Sequence, residues 1–417
     1  MKRKEIFLVI ALVAFGLIYQ AVEKGRVRFS RDFSFYANDR RPKGTRFTEF
    51  PGKETRFPEV SRIRIENPAG EVTIGRSSDG QVHLASRVRV YHSGAEDLAA
   101  AGRGAEVRTG LAAGTLTVSV QAPTPFPYQR LRILLRLLVP AGIPLAISNR
   151  EGDVIVRDTG DDLHIDQENG NLVLENIPSR SRLLLKNGDA KIKGLADRTE
   201  ITAAHARVYL EDVASLSLDG RHGEFSARNV SGNAVVEMAY GRLSVDGAGK
   251  LQITARHGNI TARNIRDGAI VSNKYEKTLL ENVNGDIRVS SRSGRIDLRG
   301  ATGNAVIENS YADIAIAGFT GASLDVLLKN GNLSLSAASV SDRVNIKSRY
   351  ADLDLTFASL IDPTFSIKAV HGRISSAPRL GLENFEEKEE MYANRAGQKP
   401  AILIHNTYGN VRVNVTD

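Results

Sequence analysis

The motif that decides the fold reads Asn169-Gly170-Asn171-Leu172-Val173-Leu174, and close variants of it fill the stretch Leu145–Val415. We number each repeat from its glycine slot, which is position zero. The slot falls at Gly152, Gly170, Gly188, Ala206, Gly223, Gly241, Gly258, Glu276, Gly294, Ala312, Gly331, Ala351, Gly372 and Gly409, mostly at steps of 17–21 residues. A short, fixed period indicates a solenoid, in which each repeat packs on its neighbours.

The hydrophobic period within each repeat is two. Positions +2 and +4 are apolar, as in Leu243 and Val245, and so are positions −7 and −5, as in Leu251 and Ile253. This alternation predicts two short strands per repeat, each with one buried face. Glycine at zero and Asn, Asp or Gly at +6 predict two corners with positive φ. The overall period of about 18 residues suggests three six-residue faces.

Position +5 alternates in charge through nine consecutive repeats. Its residues are Arg157, Glu175, Lys193, Glu211, Arg228, Asp246, Arg263, Glu281 and Arg299. Adjacent strands lie about 4.8 Å apart, so opposite charges in register would face one another and stabilise the pairing. We therefore predict an all-β fold, a parallel β-solenoid (single-stranded β-helix) of about fifteen short repeats, with its handedness left open.

The composition limits the chemistry and the partners. The 417-residue chain is 25% charged and carries a net charge of +8, which favours anionic partners. It contains no cysteine, which excludes disulfides and thiolate metal sites. The absence of tryptophan argues against stacking-based recognition of sugars or nucleic acids. We expect no nucleic-acid partner and no cofactor.

The chain divides into three predicted regions. Residues 1–22 place a basic cluster before the apolar run Ile6–Val22, which predicts an N-terminal membrane helix, either an uncleaved anchor or a signal segment. The bulk of the chain would then lie outside the cytoplasm, in the periplasm or at the cell surface. Residues 23–59 form a basic extended linker, and residues 60–417 form the solenoid.

Two excursions interrupt the predicted solenoid. Residues 85–140 are expected to form an N-terminal cap, because the first turn of a solenoid has an open edge. Residues 377–400 carry several glutamates, and we predict a short acidic helix that acts as a C-terminal cap. One last repeat, Ile402–Val415, would then close the chain.

Polar residues recur at fixed positions and do not gather in one place. Position −1 holds histidines, namely His205, His222, His257 and His371, and position +1 holds aspartates, namely Asp153, Asp189, Asp313 and Asp352. A metal pair at His205 and His222 would lack a third ligand. Rows of carboxylates occur in polysaccharide lyases and hydrolases, but no repeat breaks the pattern, and no nucleophile motif is present. We predict no catalytic, cofactor-binding or metal-binding residues.

Tyrosine also recurs at position −1. It occupies this position at Tyr240, Tyr275, Tyr311, Tyr350 and Tyr408. Stacked tyrosines could form a binding strip for sugars, although packing at the corner is the simpler interpretation.

Position −2 is the candidate binding stripe. It carries the basic residues Arg150, Lys186, Arg221, Arg256, Lys274, Arg292, Lys329 and Arg349, and one acidic residue, Glu168. In register these side chains would form a basic stripe along the outside of the rod. The alternative is that they serve solubility and protect against edge pairing.

Several segments together resemble a known bacterial family. They are the unit Asn330-Gly331-Asn332-Leu333-Ser334-Leu335, the opening Ile65–Ile74, the segment Leu137–Pro140 and the closing Tyr408–Val413. The chain resembles, over residues 60–417, the β-strand-repeat "putative adhesin" family, a domain of unknown function. The resemblance implies a signal or membrane segment before a β-solenoid, and it implies no catalytic residues.

The favoured function is a non-enzymatic cell-envelope protein whose rigid surface serves adhesion or the binding of envelope or extracellular components. Its partners would be the membrane, through the N-terminal helix, and an anionic glycan, another envelope polymer or an envelope protein. One alternative is a carbohydrate-active β-helix enzyme acting on acidic polysaccharide, which an isolated group of carboxylates in a groove would indicate. Another is a structural or stress-signalling envelope component that acts through a protein partner.

Overall fold

The repeats form successive turns of a parallel β-solenoid. The computed structural model describes residues 46–92, 105–121, 131–358 and 360–416. The predicted membrane helix at residues 1–22 lies outside these ranges. Within them, no helix is long and apolar enough to cross a membrane, and helix is limited to the short 3₁₀ turn η1 (Pro378–Leu380).

The strands follow one another with short connections. The N-terminal strands are β1 (Arg46–Phe57), β2 (Arg62–Asn67), β3 (Gly70–Arg76), β4 (Val82–His92), β5 (Glu106–Ala112), β6 (Thr115–Gln121), β7 (Leu131–Val139), β8 (Pro144–Glu151) and β9 (Val154–Arg157). The central strands are β10 (Asp161–Asn169), β11 (Leu172–Ile177), β12 (Ser181–Ala204), β13 (Ala206–Arg221), β14 (Gly223–Val230), β15 (Ala234–Ala248), β16 (Leu251–Ile265), β17 (Ala269–Asn273), β18 (Thr278–Asn284), β19 (Ile287–Ser291), β20 (Ile296–Thr302), β21 (Ala305–Asn309), β22 (Ile314–Ala317) and β23 (Thr320–Leu328). The C-terminal strands are β24 (Leu333–Arg349), β25 (Leu353–Phe357), β26 (Thr364–Val370), β27 (Ile374–Ser376), β28 (Glu383–Glu387), β29 (Glu390–Arg395), β30 (Ala401–Thr407) and β31 (Val411–Val415).

The apolar alternation builds the core, as predicted. Leu243 stacks on Ile260 and Val245 on Ala262 in the next turn, and all four are at most 2% exposed. These two rows line one wall of each turn, and positions −7 and −5 line a second, where Leu251 stacks on Ala269 and Ile253 on Val271. A third, shorter wall pairs Leu195 with Val213. The turn therefore has two long faces and one short face instead of three equal ones.

The corners also follow the pattern. Gly170 and Gly241 at position zero have φ values of 127° and 128°, and Asp158 and Asn282 at position +6 have 57° and 55°. Where alanine replaces glycine at Ala206, the preceding His205 takes the left-handed conformation instead, with φ 52°. At this corner the positive φ has therefore moved back by one residue, away from the residue that carries the Cβ.

The charge ladder is in register over its whole length. Each of the nine residues at position +5 faces the next one on the neighbouring turn, from the pair Arg157–Glu175 to the pair Glu281–Arg299. Contacts are closest between Arg157 and Glu175, at 2.7 Å, and between Arg263 and Glu281, at 2.6 Å. The predicted stacking of opposite charges is confirmed.

Both ends of the solenoid are interleaved. At the N-terminal end, β2 lies between β8 and β6, and β3 lies between β9 and β7. At the C-terminal end, β30 lies between β24 and β26, and β31 lies between β25 and β27. The segment Ile402–Val415 therefore does not close the rod, because β26 and β27 lie beyond it.

The interleaving corrects the repeat count. The uninterrupted series of turns carries the slots from Gly152 to Ala351, whereas Gly70, Gly372 and Gly409 belong to the interleaved ends. The solenoid has about 12 turns, not fifteen. The sequence counts every matching slot, but it does not show which slots follow one another in space.

Antiparallel strands cover the two ends. Strand β4 pairs antiparallel with β7, and β1 pairs with β4, so the part of the predicted linker at 46–57 is a strand of the cap. At the other end β29 pairs antiparallel with β26 and β28 with β29. The predicted acidic helix within residues 377–400 is wrong, because the glutamates lie on this hairpin.

Candidate functional site

The residues at position −2 lie in one column on the outside of the rod. The register of their neighbours places Arg256, Lys274 and Arg292 on three consecutive turns, because Ala255 pairs with Asn273 and Asn273 with Ser291. In column order the residues are Arg150, Glu168, Lys186, Ala204, Arg221, Ala239, Arg256, Lys274, Arg292, Ser310, Lys329 and Arg349. All eight basic side chains are exposed. We call this column the basic stripe.

The lower end of the basic stripe is neutralised within the fold. Glu168 contacts Arg150 at 3.4 Å and Lys186 at 2.6 Å. The hydrogen bond from Lys186 lowers the pKa of Glu168, and the same bond raises the pKa of Lys186. At the other end, the guanidinium of Arg349 lies 4.9 Å from the centre of the Tyr350 ring. These three cations are therefore engaged.

The middle of the basic stripe is not neutralised. Among the described residues, no acidic side chain lies within 4 Å of its remaining cations, which are Arg221, Arg256, Lys274, Arg292 and Lys329. Arg256, Lys274 and Arg292 put like charges on neighbouring strands, an arrangement that destabilises a sheet. In the charge ladder on the same rod, by contrast, neighbouring turns carry opposite charges.

An aromatic column runs beside the basic stripe, at position −1. The rings of His205, His222, Tyr240, His257 and Tyr275 stack in one continuous series, with centroids 4.5–5.1 Å apart and interplanar angles of 3–10°. A second series contains Tyr350, Tyr408 and His371. Because the rings of a series cover one another, their faces are free only at its ends. The column therefore packs the corner, as the simpler interpretation predicted.

Ser293 interrupts the aromatic column. It lies between Tyr275 and Tyr311, since the flanking rows pair Asn273 with Ser291 and Ser291 with Asn309. Tyr275 is 39% exposed and Tyr311 59%. The two tyrosines are two strand spacings apart, or about 9.6 Å. We call the space over Ser293 the ring gap.

A groove adjoins the ring gap on the side of the basic stripe. Its volume is about 280 Å³, and its lining includes Lys274, Ser291, Arg292, Asn309, Ser310 and Lys329. Small serines form the depression and three cations stand around it, with Glu308 as the one carboxylate in the lining. We call it the corner groove.

Buried amides lie under the corner groove. The side chains of Asn273 and Asn309 donate through Nδ2 to backbone carbonyls, at 2.8 Å to Gly258 and 2.9 Å to Gly294. These bonds hold the corner from inside. Both residues are at most 3% exposed and both line the groove, yet their Oδ1 atoms have no hydrogen-bond partner among the described residues. Both Oδ1 atoms are themselves buried beneath the groove surface.

Two of the aspartates at position +1, Asp313 and Asp352, line a second, separate groove. It has a volume of about 580 Å³ and contains Asp313, Asp352 and Asp354 together with three arginines. Asp313 accepts the backbone N–H of Asn332 at 2.8 Å, and Asp352 accepts that of Asn410 at 2.8 Å. The same bond recurs outside this groove. These two carboxylates thus join successive turns and are not isolated in the sense that the enzyme alternative requires.

The histidines at position −1 do not form a metal pair. His205 and His222 stack face to face with an interplanar angle of 3°. Within the described parts of the chain, no group of three or more potential ligands is arranged to hold a metal ion. The rings take part in packing in this structure.

The family of the chain follows from a comparison with known domains. The sequence profile described as Toastrack DUF4097 matches residues 60–414. The chain belongs to this family. The resemblance to an adhesin-like family of unknown function is thereby confirmed, and the Toastrack region covers the solenoid and, apart from β1, its caps.

Solved structures with likeness to this Toastrack chain come from three bacteria. A "putative cell adhesion protein" from Clostridium sporogenes is 10% identical, with 88% of this chain and 100% of that chain covered and a TM-score of 0.14. A "putative adhesin" from Bacteroides fragilis is 15% identical, with 74% and 98% covered and a TM-score of 0.17. One from Parabacteroides merdae is 9% identical, with 75% and 97% covered and a TM-score of 0.15. At such low TM-scores these likenesses carry no further argument.

No curated protein matches the Toastrack chain. The local geometry therefore has to identify its functional surface. The basic stripe was predicted from the sequence. The ring gap and the buried amides were not, although serine at Ser293 between two tyrosine slots is visible once the register is known.

Proposed function

We propose that the protein is a non-enzymatic binding protein of the cell envelope, and that the basic stripe binds a linear anionic polymer along the rod. The segment 1–22 would anchor it in the membrane, with the solenoid outside the cytoplasm. One observation carries the proposal. Five cations in one column have no acidic partner among the described residues, although the same rod pairs its charges elsewhere.

The energetics favour an external partner for these cations. Like charges on neighbouring strands destabilise a sheet by a few tenths of a kcal/mol or more per pair. A polymer that carries one negative charge per unit could face several cations at once, and binding several weak sites together raises the apparent affinity. A rigid solenoid holds the cations at fixed spacing, so less conformational freedom is lost on binding.

A charge-matched pair of variants of the full chain tests the proposal. The stripe variant is Arg256→Ser/Lys274→Ser/Arg292→Ser, and the control is Lys53→Ser/Arg56→Ser/Arg62→Ser in the N-terminal cap. Both lower the net charge by three. Binding to polygalacturonate, a linear polyanion, is measured by calorimetry at several salt concentrations.

We expect the stripe variant to bind about tenfold or more weakly and to show a smaller dependence on salt, while the control binds like the wild type. Equal weakening in both variants would show that net charge alone is responsible. Absence of binding by the wild type would also overturn the proposal.

A further inference from the structure

The ring gap combines three features that no other position of the aromatic column combines in the described residues. It has tyrosines on both sides, cations in the adjoining corner groove and a small residue, Ser293, between the rings. We propose that the ring gap and the corner groove together form a site for one sugar unit of an acidic polysaccharide. This inference rests on the proposed function and names the class of polymer.

The size of the ring gap fits one ring. Rings already in the column lie 4.5–5.1 Å from the next ring. The two tyrosines beside Ser293 are about 9.6 Å apart, so a single inserted ring would lie at the usual distance from both. A pyranose ring presents C–H bonds from its faces, and these pack well on the negative faces of aromatic rings.

The next interruption of the column is a poorer candidate. Asn330 lies between Tyr311 and Tyr350, but its Nδ2 donates to the backbone carbonyl of Ser310 at 3.2 Å. Its side chain is thereby held at the corner. Ser293 is smaller, and among the described residues its side chain makes no hydrogen bond. The gap at Ser293 is therefore the better candidate for a binding site.

The corner groove supplies the polar contacts of the site. A uronic acid carries its carboxylate on the ring, and Arg292, Lys274 and Lys329 lie beside the gap. Arginine and lysine bind carboxylates through charge-assisted hydrogen bonds. A polyanion without rings would use only the cations.

A gap-filling substitution separates ring binding from charge binding. Ser293→Tyr would place an aromatic ring in the gap. The backbone should accept it, because Ser293, Tyr275 and Tyr311 all lack a positive φ. The control is Asn187→Tyr, which adds a tyrosine to the same column beside His205, at the far end of the five-ring series. Both substitutions leave every charge unchanged.

The full-length variants are compared with the wild type for binding of oligogalacturonate and of polyglutamate at equal carboxylate concentration. We expect the wild type and Asn187→Tyr to bind oligogalacturonate at least about tenfold more tightly than polyglutamate. Ser293→Tyr should lose that preference and retain the affinity for polyglutamate. Its unfolding midpoint should equal or exceed that of the wild type, because the column is then continuous.

The outcomes distinguish the two proposals. If Ser293→Tyr keeps the preference for oligogalacturonate, or if the wild type has none, the sugar site is refuted while binding along the basic stripe stands. If the wild type binds neither polymer, both proposals fail. Tyr311→Ala provides an independent check, since opening the gap on one side should also reduce the preference.

Discussion

The substitution Arg263→Glu tests the stacking of the charge ladder. Arg263 faces Asp246 on one neighbouring turn and Glu281 on the other, and its Nε donates to Glu281 Oε2 at 2.6 Å. The new glutamate would stand between two acids. We expect the free energy of unfolding to fall, because two attractive pairs become two repulsive ones.

The magnitude follows from the exposure of the groups. The side chains of Arg263 and Glu281 are 49% and 30% exposed, so water screens them. Each cross-strand charge pair then contributes about 0.2–1 kcal/mol in either direction. With two pairs lost and two repulsive pairs created, the loss should be about 0.8–4 kcal/mol at low salt. In about 1 M salt the Debye length is about 3 Å, so most of the loss should disappear.

The matched control is Arg256→Glu. It is the same change on the same rod, but Arg256 lies between Ala239 and Lys274 in the basic stripe. There the new glutamate gains an opposite charge, so stability should stay constant or rise. Urea unfolding, followed by circular dichroism at low and high salt, measures both. If the two variants lose the same free energy, or if the loss in Arg263→Glu is independent of salt, the ladder argument is refuted.

Two further predictions concern a corner and a buried acid. Gly241→Ala should cost about 2 kcal/mol or more, because its φ is 128° and the new Cβ would lie 1.9 Å from the carbonyl oxygen of Gly223; Gly110→Ala, with nothing within 4 Å, should be nearly neutral in the same urea assay. Asp297 is only 3% exposed. Burial raises its pKa, but hydrogen bonds from Lys277 and Arg295 lower the pKa further, to a net value below the ordinary 3.8. A carboxyl whose pKa is lower in the folded than in the unfolded chain stabilises the fold above the unfolded value and loses that contribution as the pH falls. Asp297→Asn should therefore be less stable than the wild type near neutral pH, with the difference shrinking below pH 3.8; a difference that stays constant with pH would contradict the role of the ion pairs.

The features that could be predicted from the sequence are those that repeat. Alternating apolar positions, as in Leu243 and Val245, specify a buried row without knowledge of distant contacts. The sign alternation at position +5 even supplied the register, because only stacking in step puts Arg228 between Glu211 and Asp246. In the middle of the rod every repeat stacks on the next one in sequence, so the local sequence pattern also specifies which residues meet across neighbouring turns.

The ends could not be predicted in the same way. The segments Ile63–Ile74 and Ile402–Val415 fit the repeat as well as any other, yet both are inserted between segments that lie elsewhere in the chain. A strand pattern specifies which face is buried, but not which strand is the neighbour. The sequence predicts a short acidic helix within residues 377–400, where glutamate, a residue that favours helices, is frequent. The hairpin there pairs with β26 and so satisfies an open edge, a tertiary gain that outweighs local preference.

Only part of the candidate site could be predicted from the sequence, for a related reason. Basic residues at position −2 and tyrosines at position −1 could each be read from the sequence as columns. The ring gap exists because Ser293 stands where neighbouring turns carry an aromatic residue. A single serine does not indicate a site until its neighbours in space are known. The buried amides of Asn273 and Asn309 point inward and resemble core residues of any repeat.

Where function can reside on this rod follows from how each column handles its own contacts. The inward positions form the core, and position zero and position +6 form the corners. The charges at position +5 neutralise one another between neighbouring turns. The stability of a solenoid is nearly the sum of the contacts between neighbouring turns. A column in which residues on neighbouring turns repel one another, or do not touch, therefore lowers the stability of the fold. Residues on neighbouring turns repel one another in the basic stripe, at Arg256, Lys274 and Arg292. Contact between neighbouring rings is lost in the aromatic column at Ser293. These two departures adjoin each other at one corner, and a ligand with a ring and a negative charge would satisfy both.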